Sequence, residues 1–128
     1  MNPLQSISIC FSKFASYRGR ACRSEYWWFY LFVFLPYQWA LDGIFDRFFI
    51  IDEGDYILFT FYLIFSLGTL IPGLAVSVRR FHDIGKSGWN HLWWFTLIGI
   101  IPVLIWLCRE GTKEVNRFGD PIDLNTFS

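Results

Sequence analysis

Charge is what this chain lacks, and it is missing in long unbroken stretches. Tyr26 to Leu41 and Tyr56 to Val78 hold no Asp, Glu, Lys or Arg, and Trp89 to Cys108 has only His91 titrating near neutrality. Charged residues are 17% of the 128, against 54% apolar and 22% aromatic; an ordinary soluble domain carries about 25% charged residues. Paired cysteine spacing is also absent. Cys10, Cys22 and Cys108 form no CxxC, which excludes a disulfide framework and leaves free thiols. With His82 and His91 scattered, no metal-ligand spacing appears, so no metal or cofactor is expected. The first apolar run starts only at residue 26 and no small-residue cleavage pattern follows it, which argues against a cleavable signal peptide. The glycines around Lys86 lack P-loop spacing. Net charge is zero, and nothing in that balance points to nucleic acid.

What is present is three apolar runs, at about 26–45, 56–78 and 89–108, separated by polar knots at 17–25, 79–88 and 109–121. Crossing a bilayer core of about 30 Å takes about 20 apolar residues at about 1.5 Å each. The second and third runs meet that length, and the first meets it by extending past Asp42 or thinning the bilayer. The alternative, a soluble bundle with all-round apolar helices, fits these lengths less well. The expectation is a single all-α membrane domain with about three transmembrane helices and an N-terminal amphipathic interfacial helix.

The basic residues are unevenly placed. Lys13, Arg18, Arg20 and Arg23 precede the first run and Arg79, Arg80 and Lys86 follow the second, whereas Asp42, Asp46, Asp52, Glu53 and Asp55 lie between them with only Arg47. The positive-inside rule puts the amino end and the middle knot in the cytoplasm and the acidic loop outside. An odd number of spans then leaves the carboxyl tail outside, with Arg109, Lys113 and Arg117 on the wrong side for that rule.

Along the chain, Leu4, Ile7, Phe11 and Phe14 recur at helical spacing, which predicts an interfacial helix. Ser24 is placed to cap the first span, and Tyr26, Trp27, Trp28 and Tyr30 supply an aromatic belt. Residues 42–55 read as a loop with an interfacial turn of helix between Gly43 and Gly54. In the second run Ser66, Thr69, Gly73 and Ser77 form a small-residue stripe suited to close helix packing. Pro72 within it predicts a kink, with Thr69 satisfying the freed Gly68 carbonyl, and Pro102 predicts a second kink in the third run.

In the middle knot Asp83 lies four residues from Arg79 and three from Arg80, so either arginine can meet it on a helix. Gly85 and Gly88 end that helix and Ser87 can cap the next. His82 beside Asp83 invites an acid/base reading, but adjacent helical residues do not face each other and no nucleophile accompanies them. His82, Asp83, Ser87, Asn116 and Arg117 are therefore read as a structural polar knot. Arg18, Arg20, Arg23, Arg79, Arg80 and Lys86 are the candidates for holding anionic lipid or a partner.

The knots GRxxRxEYW at 19–27, RRxHDxGxSGW at 79–89 and GTxxxNRFGxP at 111–121 resemble those of the YhaH/YhaI-type bacterial inner membrane proteins, a family carried as a domain of unknown function. The resemblance covers nearly the whole chain, and the middle motif is its most specific part. Tyr17, Phe81, Asn90 and Glu114 depart from the family's usual Phe, Leu, Trp and Gly, and the usual Pro before the final Asp-Pro is missing. The resemblance implies a bacterial inner-membrane location and no established activity or catalytic residues. The leading functional expectation is a non-enzymatic membrane protein that binds anionic lipid or a partner, with a homo-oligomer possible in principle. A subunit of a small oligomeric transporter or channel is the alternative, and an enzyme acting on lipid headgroups comes third.

Overall fold

The computed structural model describes residues 2–46, 55–123 and 125. These residues form α1 (Pro3–Ser12), α2 (Arg23–Asp46), α3 (Asp55–Asp83), a 3-10 helix (Gly88–Phe95) and α4 (Ile100–Cys108). The all-helical expectation holds for the described residues. Residues 47–54, most of the expected outer loop, lie outside them; α2 itself runs through Gly43 to Asp46.

α1 starts where its sequence says it should. Pro3 needs no amide partner at the first position, and Asn2 and Gln5 close a capping box, with the Gln5 N–H on Asn2 Oδ1 at 2.8 Å and the Asn2 N–H on Gln5 Oε1 at 3.1 Å. Such a cap stabilises a helix by about 1 kcal/mol. The face that packs on the other helices carries Ser6 and Cys10, both fully buried. Of the expected stripe, Leu4, Phe11 and Phe14 are exposed and Ile7 is half-buried, with Phe11 also set edge-on against Phe29 and Phe32 of α2.

α2 and α3 pair antiparallel, since Phe29 and Tyr30 meet Gly73 and Ser77 at one end while Tyr37 meets Tyr62 toward the other. The small-residue stripe lies in this seam. Thr69, Gly73 and Ser77 are buried, and Tyr30 and Ser77 share a hydrogen bond of 2.9 Å. α2 begins one residue before Ser24, with the Tyr26 N–H on the Cys22 carbonyl at 3.2 Å; Ser24 sits in the first turn, beside the Cys22 thiol, and is not the cap. Thr69 also differs from expectation: its hydroxyl donates to the Phe65 carbonyl at 2.8 Å, so it does not serve Gly68. That back-bond is the nearest acceptor for a threonine inside a helix.

α3, at 29 residues, spans about 43 Å at about 1.5 Å per residue. Over Phe59–Asp83 it is the one described helix long and apolar enough to cross a membrane. It stops in a Schellman turn: the Lys86 N–H reaches the Phe81 carbonyl at 2.8 Å and the Gly85 N–H reaches His82 at 3.0 Å. Gly85 makes this possible by taking φ +74°, which costs a residue without Cβ little.

The third apolar run is not one helix, a correction to the expected span at 89–108. Ser87 caps only the 3-10 turn, and Thr96 then competes with helix formation. Its hydroxyl donates to the Trp93 carbonyl at 2.9 Å and accepts from the Gly99 N–H at 3.0 Å, closing a turn before α4. α4 has nine residues, about 14 Å, well short of a bilayer core. Pro102 falls in its first turn, where an amide would lack a helical partner anyway, so it does not act as an interior kink. Cys10, Ala21, Tyr26, Phe29, Val76, Phe81, Val103 and Leu107 form the core that joins the helices. Phe34, Leu35, Trp39, Phe61, Ile64 and Leu67 face outward.

Candidate functional site

All three polar knots meet at the carboxyl end of α3. The Ala21 N–H bonds the Arg79 carbonyl at 3.0 Å, which fixes the segment before α2 across the end of α3. Arg20 is thereby aimed at Asp83. Its Nε sits 2.9 Å from Asp83 Oδ1, and Arg80 Nη1 sits 2.6 Å from Asp83 Oδ2. One carboxylate is shared by two arginines, all three side chains being buried. Charge-assisted bonds of this length are the strong class.

The remaining donors are answered by the tail. Arg20 Nη1 reaches the Glu114 carbonyl at 3.0 Å and Arg20 Nη2 the Thr112 carbonyl. Arg80 Nε reaches the Leu107 carbonyl at 3.2 Å, and its Nη2 the Arg109 carbonyl. The Asp83 carbonyl accepts from the Thr112 N–H at 2.9 Å. Gly111 lies so close that an added Cβ would fall 2.0 Å from Asp83 Oδ2. Asn116 donates through Nδ2 to the His82 carbonyl at 3.0 Å and accepts the Phe118 N–H at 2.9 Å. Its backbone bridges Gly119.

His82 is held within this arrangement. Its ring stacks on Phe118 with centroids 3.8 Å apart, and Nδ1 lies 3.1 Å from the Gly19 carbonyl, so Nδ1 carries a proton, while burial lowers the pKa of the ring. Arg117 lies over the other ring, 4.6 Å from the Phe118 centroid. Asp83, its oxygens taken by two guanidinium groups, is no partner for the His82 imidazole.

A second ion pair lies beneath α1. Arg79 Nη1 sits 2.6 Å from Glu25 Oε1, with Cys10 Sγ 3.8 Å from the same oxygen. Both charged side chains are buried, and Arg79 Nε and Nη2 have no hydrogen-bond partner among the described residues. The expected choice between Arg79 and Arg80 for Asp83 is therefore resolved: Arg80 takes Asp83, and Arg79 points to Glu25, which the sequence reading left unassigned. Cys10 shows the dryness of this spot, since burial pushes its thiol up to about 12.

Of the residues expected to hold lipid or a partner, Arg20, Arg79 and Arg80 point inward in this geometry. They are buried and bonded to internal carboxylates, because a charge leaving water needs a fixed counter-charge. Arg18 and Arg23 remain exposed, and Lys86 lies over Trp106 at 4.3 Å from the ring centroid. A cavity of about 530 Å³ opens beside the cluster, between the start of α2 and the tail.

Residues 14–120 match the family described as "Protein of unknown function (DUF805)". The chain belongs to that family. It is 32% identical over 108 residues to inner membrane protein YhaI of Escherichia coli strain K12, covering 84% of this chain and 86% of that one. It is 37% identical over 117 residues to inner membrane protein YhaH of the same strain, covering 84% and 88%. No solved structure matches the chain. The match takes in all of the first two knots and nearly all of the third, so the residues that converge on Asp83 lie within the family region.

Proposed function

We propose that this chain is a multi-pass, non-enzymatic protein of the bacterial inner membrane whose ion-locked cytoplasmic end binds anionic lipid or a partner protein. α2 and α3 cross as a hairpin, and the third apolar run enters the bilayer and turns back. The observation that carries this reading is the bonding of Thr112 and Glu114 to Arg20 and Asp83. It holds the tail at the same end of α3 as the middle knot. Those bonds favour a carboxyl tail on the same side as the middle knot over the outside tail that an odd number of spans would require. Two crossings return Arg109, Lys113 and Arg117 to the cytoplasmic side, which satisfies the positive-inside rule. The 3-10 segment packs on α3 and α4.

The enzymatic reading finds little support in this geometry, because His82 and Asp83 are each engaged by other groups. Reporter fusions test the topology. A fluorescent protein fused after Ser128 should fluoresce and alkaline phosphatase at the same place should be inactive. An active phosphatase fusion would return the third run to a full crossing and overturn the reading.

A further inference from the structure

The exposed cations next to the ion cluster line a cavity, and the α2 face that begins at Arg23 carries an apolar stripe away from it. Arg23, Ser24 and Lys113 line it on the polar side, Glu110 is its exposed acid, and Pro121 and Ile122 wall it. The other carboxylate there, Asp83, has both oxygens taken by Arg20 and Arg80. Its charge is thus more than balanced, and the pocket is left net positive. Arg23 and Lys113 are exposed and have no ion-pair partner among the described residues. The cavity also lies at the amino end of α2, a 24-residue helix whose dipole adds to the attraction for an anion.

What distinguishes this cavity from a patch of solvated charge is the surface leading away from it. Arg23, Trp27, Leu31 and Phe34 follow one another at spacings of four, four and three along α2, and all are exposed. A helix face that is cationic at the cavity and apolar beyond it matches a molecule with a phosphate at one end and an acyl chain at the other. We propose that this cavity is a headgroup site for an anionic phospholipid. Its phosphate sits between Arg23, Lys113 and the Ser24 hydroxyl, and a chain lies along Trp27, Leu31 and Phe34. The inference rests on the lipid-binding form of the function proposed above and names its ligand.

Native mass spectrometry of the purified full chain, titrated with phosphatidylglycerol and separately with phosphatidylcholine, measures the site. A basic residue near an anionic lipid contributes about 1 kcal/mol, or about fivefold in affinity. Arg23→Gln and Lys113→Gln should therefore each weaken phosphatidylglycerol binding about fivefold, and together about 25-fold, with phosphatidylcholine bound weakly throughout. Arg18→Gln, exposed and outside the cavity lining, should change binding less than twofold. Neither Arg23 nor Lys113 makes an internal ion pair, so both variants should melt as the parent does. Three results overturn the proposal: unchanged binding in the double variant, an Arg18→Gln loss equal to that of Arg23→Gln, or full displacement of the lipid by millimolar inorganic phosphate. The first two remove the site, and the third makes it a free-anion site. The reporter fusions are independent of all three, so the topology can stand if the headgroup site falls.

Discussion

The two buried ion clusters among the described residues both set arginine against a carboxylate and are finished to different degrees. At Asp83, two arginines share one carboxylate, and their outer nitrogens reach the carbonyls of Leu107, Arg109, Thr112 and Glu114. At Glu25, one arginine nitrogen makes the pair while Arg79 Nε and Nη2 go unanswered. The difference lies in the neighbours. The Asp83 cluster is wrapped by irregular chain, whose carbonyls are free to turn inward, whereas Arg79 is enclosed by helices whose carbonyls already serve their own turns. Burying an ion pair stabilises a fold only where the leftover polar atoms are also satisfied.

The comparison can be broken most forcefully at its complete end. Asp83→Ala leaves Arg20 and Arg80 buried without a counter-charge, and removing one partner of a buried pair costs about 3–5 kcal/mol. The expected outcome is little folded protein in detergent extracts, read by fluorescence-detected size exclusion and by melting; a variant that melts like the parent would mean that water reaches the cluster. A smaller loss is expected from Gly111→Ala. Its methyl would land against the Asp83 carboxylate, and overpacking of this kind costs about 1–3 kcal/mol, visible as a lower melting temperature. Unchanged melting would show that the tail can slide away from Asp83 without loss.

The smallest effect sharpens the contrast. Replacing both partners of the incomplete pair, Glu25→Met with Arg79→Met, should leave stability within about 1 kcal/mol of the parent, since apolar substitutes for a buried pair are often neutral or better. The matching double change, Arg80→Met with Asp83→Met, should be clearly destabilising, because Arg20 and several backbone groups lose their partners with it. Equal melting temperatures for the two double variants would erase the distinction drawn between the pairs.

What the sequence could reveal here was local. The helix at Pro3–Ser12, the end of α3 at Gly85, the capping role of Ser87 and the Arg80–Asp83 pair at spacing three all follow from interactions within one or two turns. The third apolar run misled because length alone makes 20 uncharged residues look like a span. Its break at Thr96 comes from a hydroxyl bonding nearby backbone, which a count of apolar residues does not register. The convergence of the knots was out of reach of periodicity, since Arg20 and Asp83 are 63 residues apart and Asp83 and Thr112 are 29 apart. One signal was available. In a chain with so few charges, arginines and acids gathered at the ends of apolar helices had to answer one another, and Glu25 could have been assigned to Arg79 on that ground.

The reach of Arg20 across the chain also sets an order of events during synthesis. Its partners at Thr112, Glu114 and Gly119 follow it by 92, 94 and 99 residues. At about 5–20 residues per second, the ribosome delivers them roughly 5 to 20 s later. Through that interval α2 and α3 are already synthesised while the guanidinium of Arg20 still seeks acceptors. Completion is marked when the tail arrives and closes over it. A nascent chain stalled before Thr112 would keep an open, charged end, a feature by which a membrane protease could tell an unfinished molecule from a finished one.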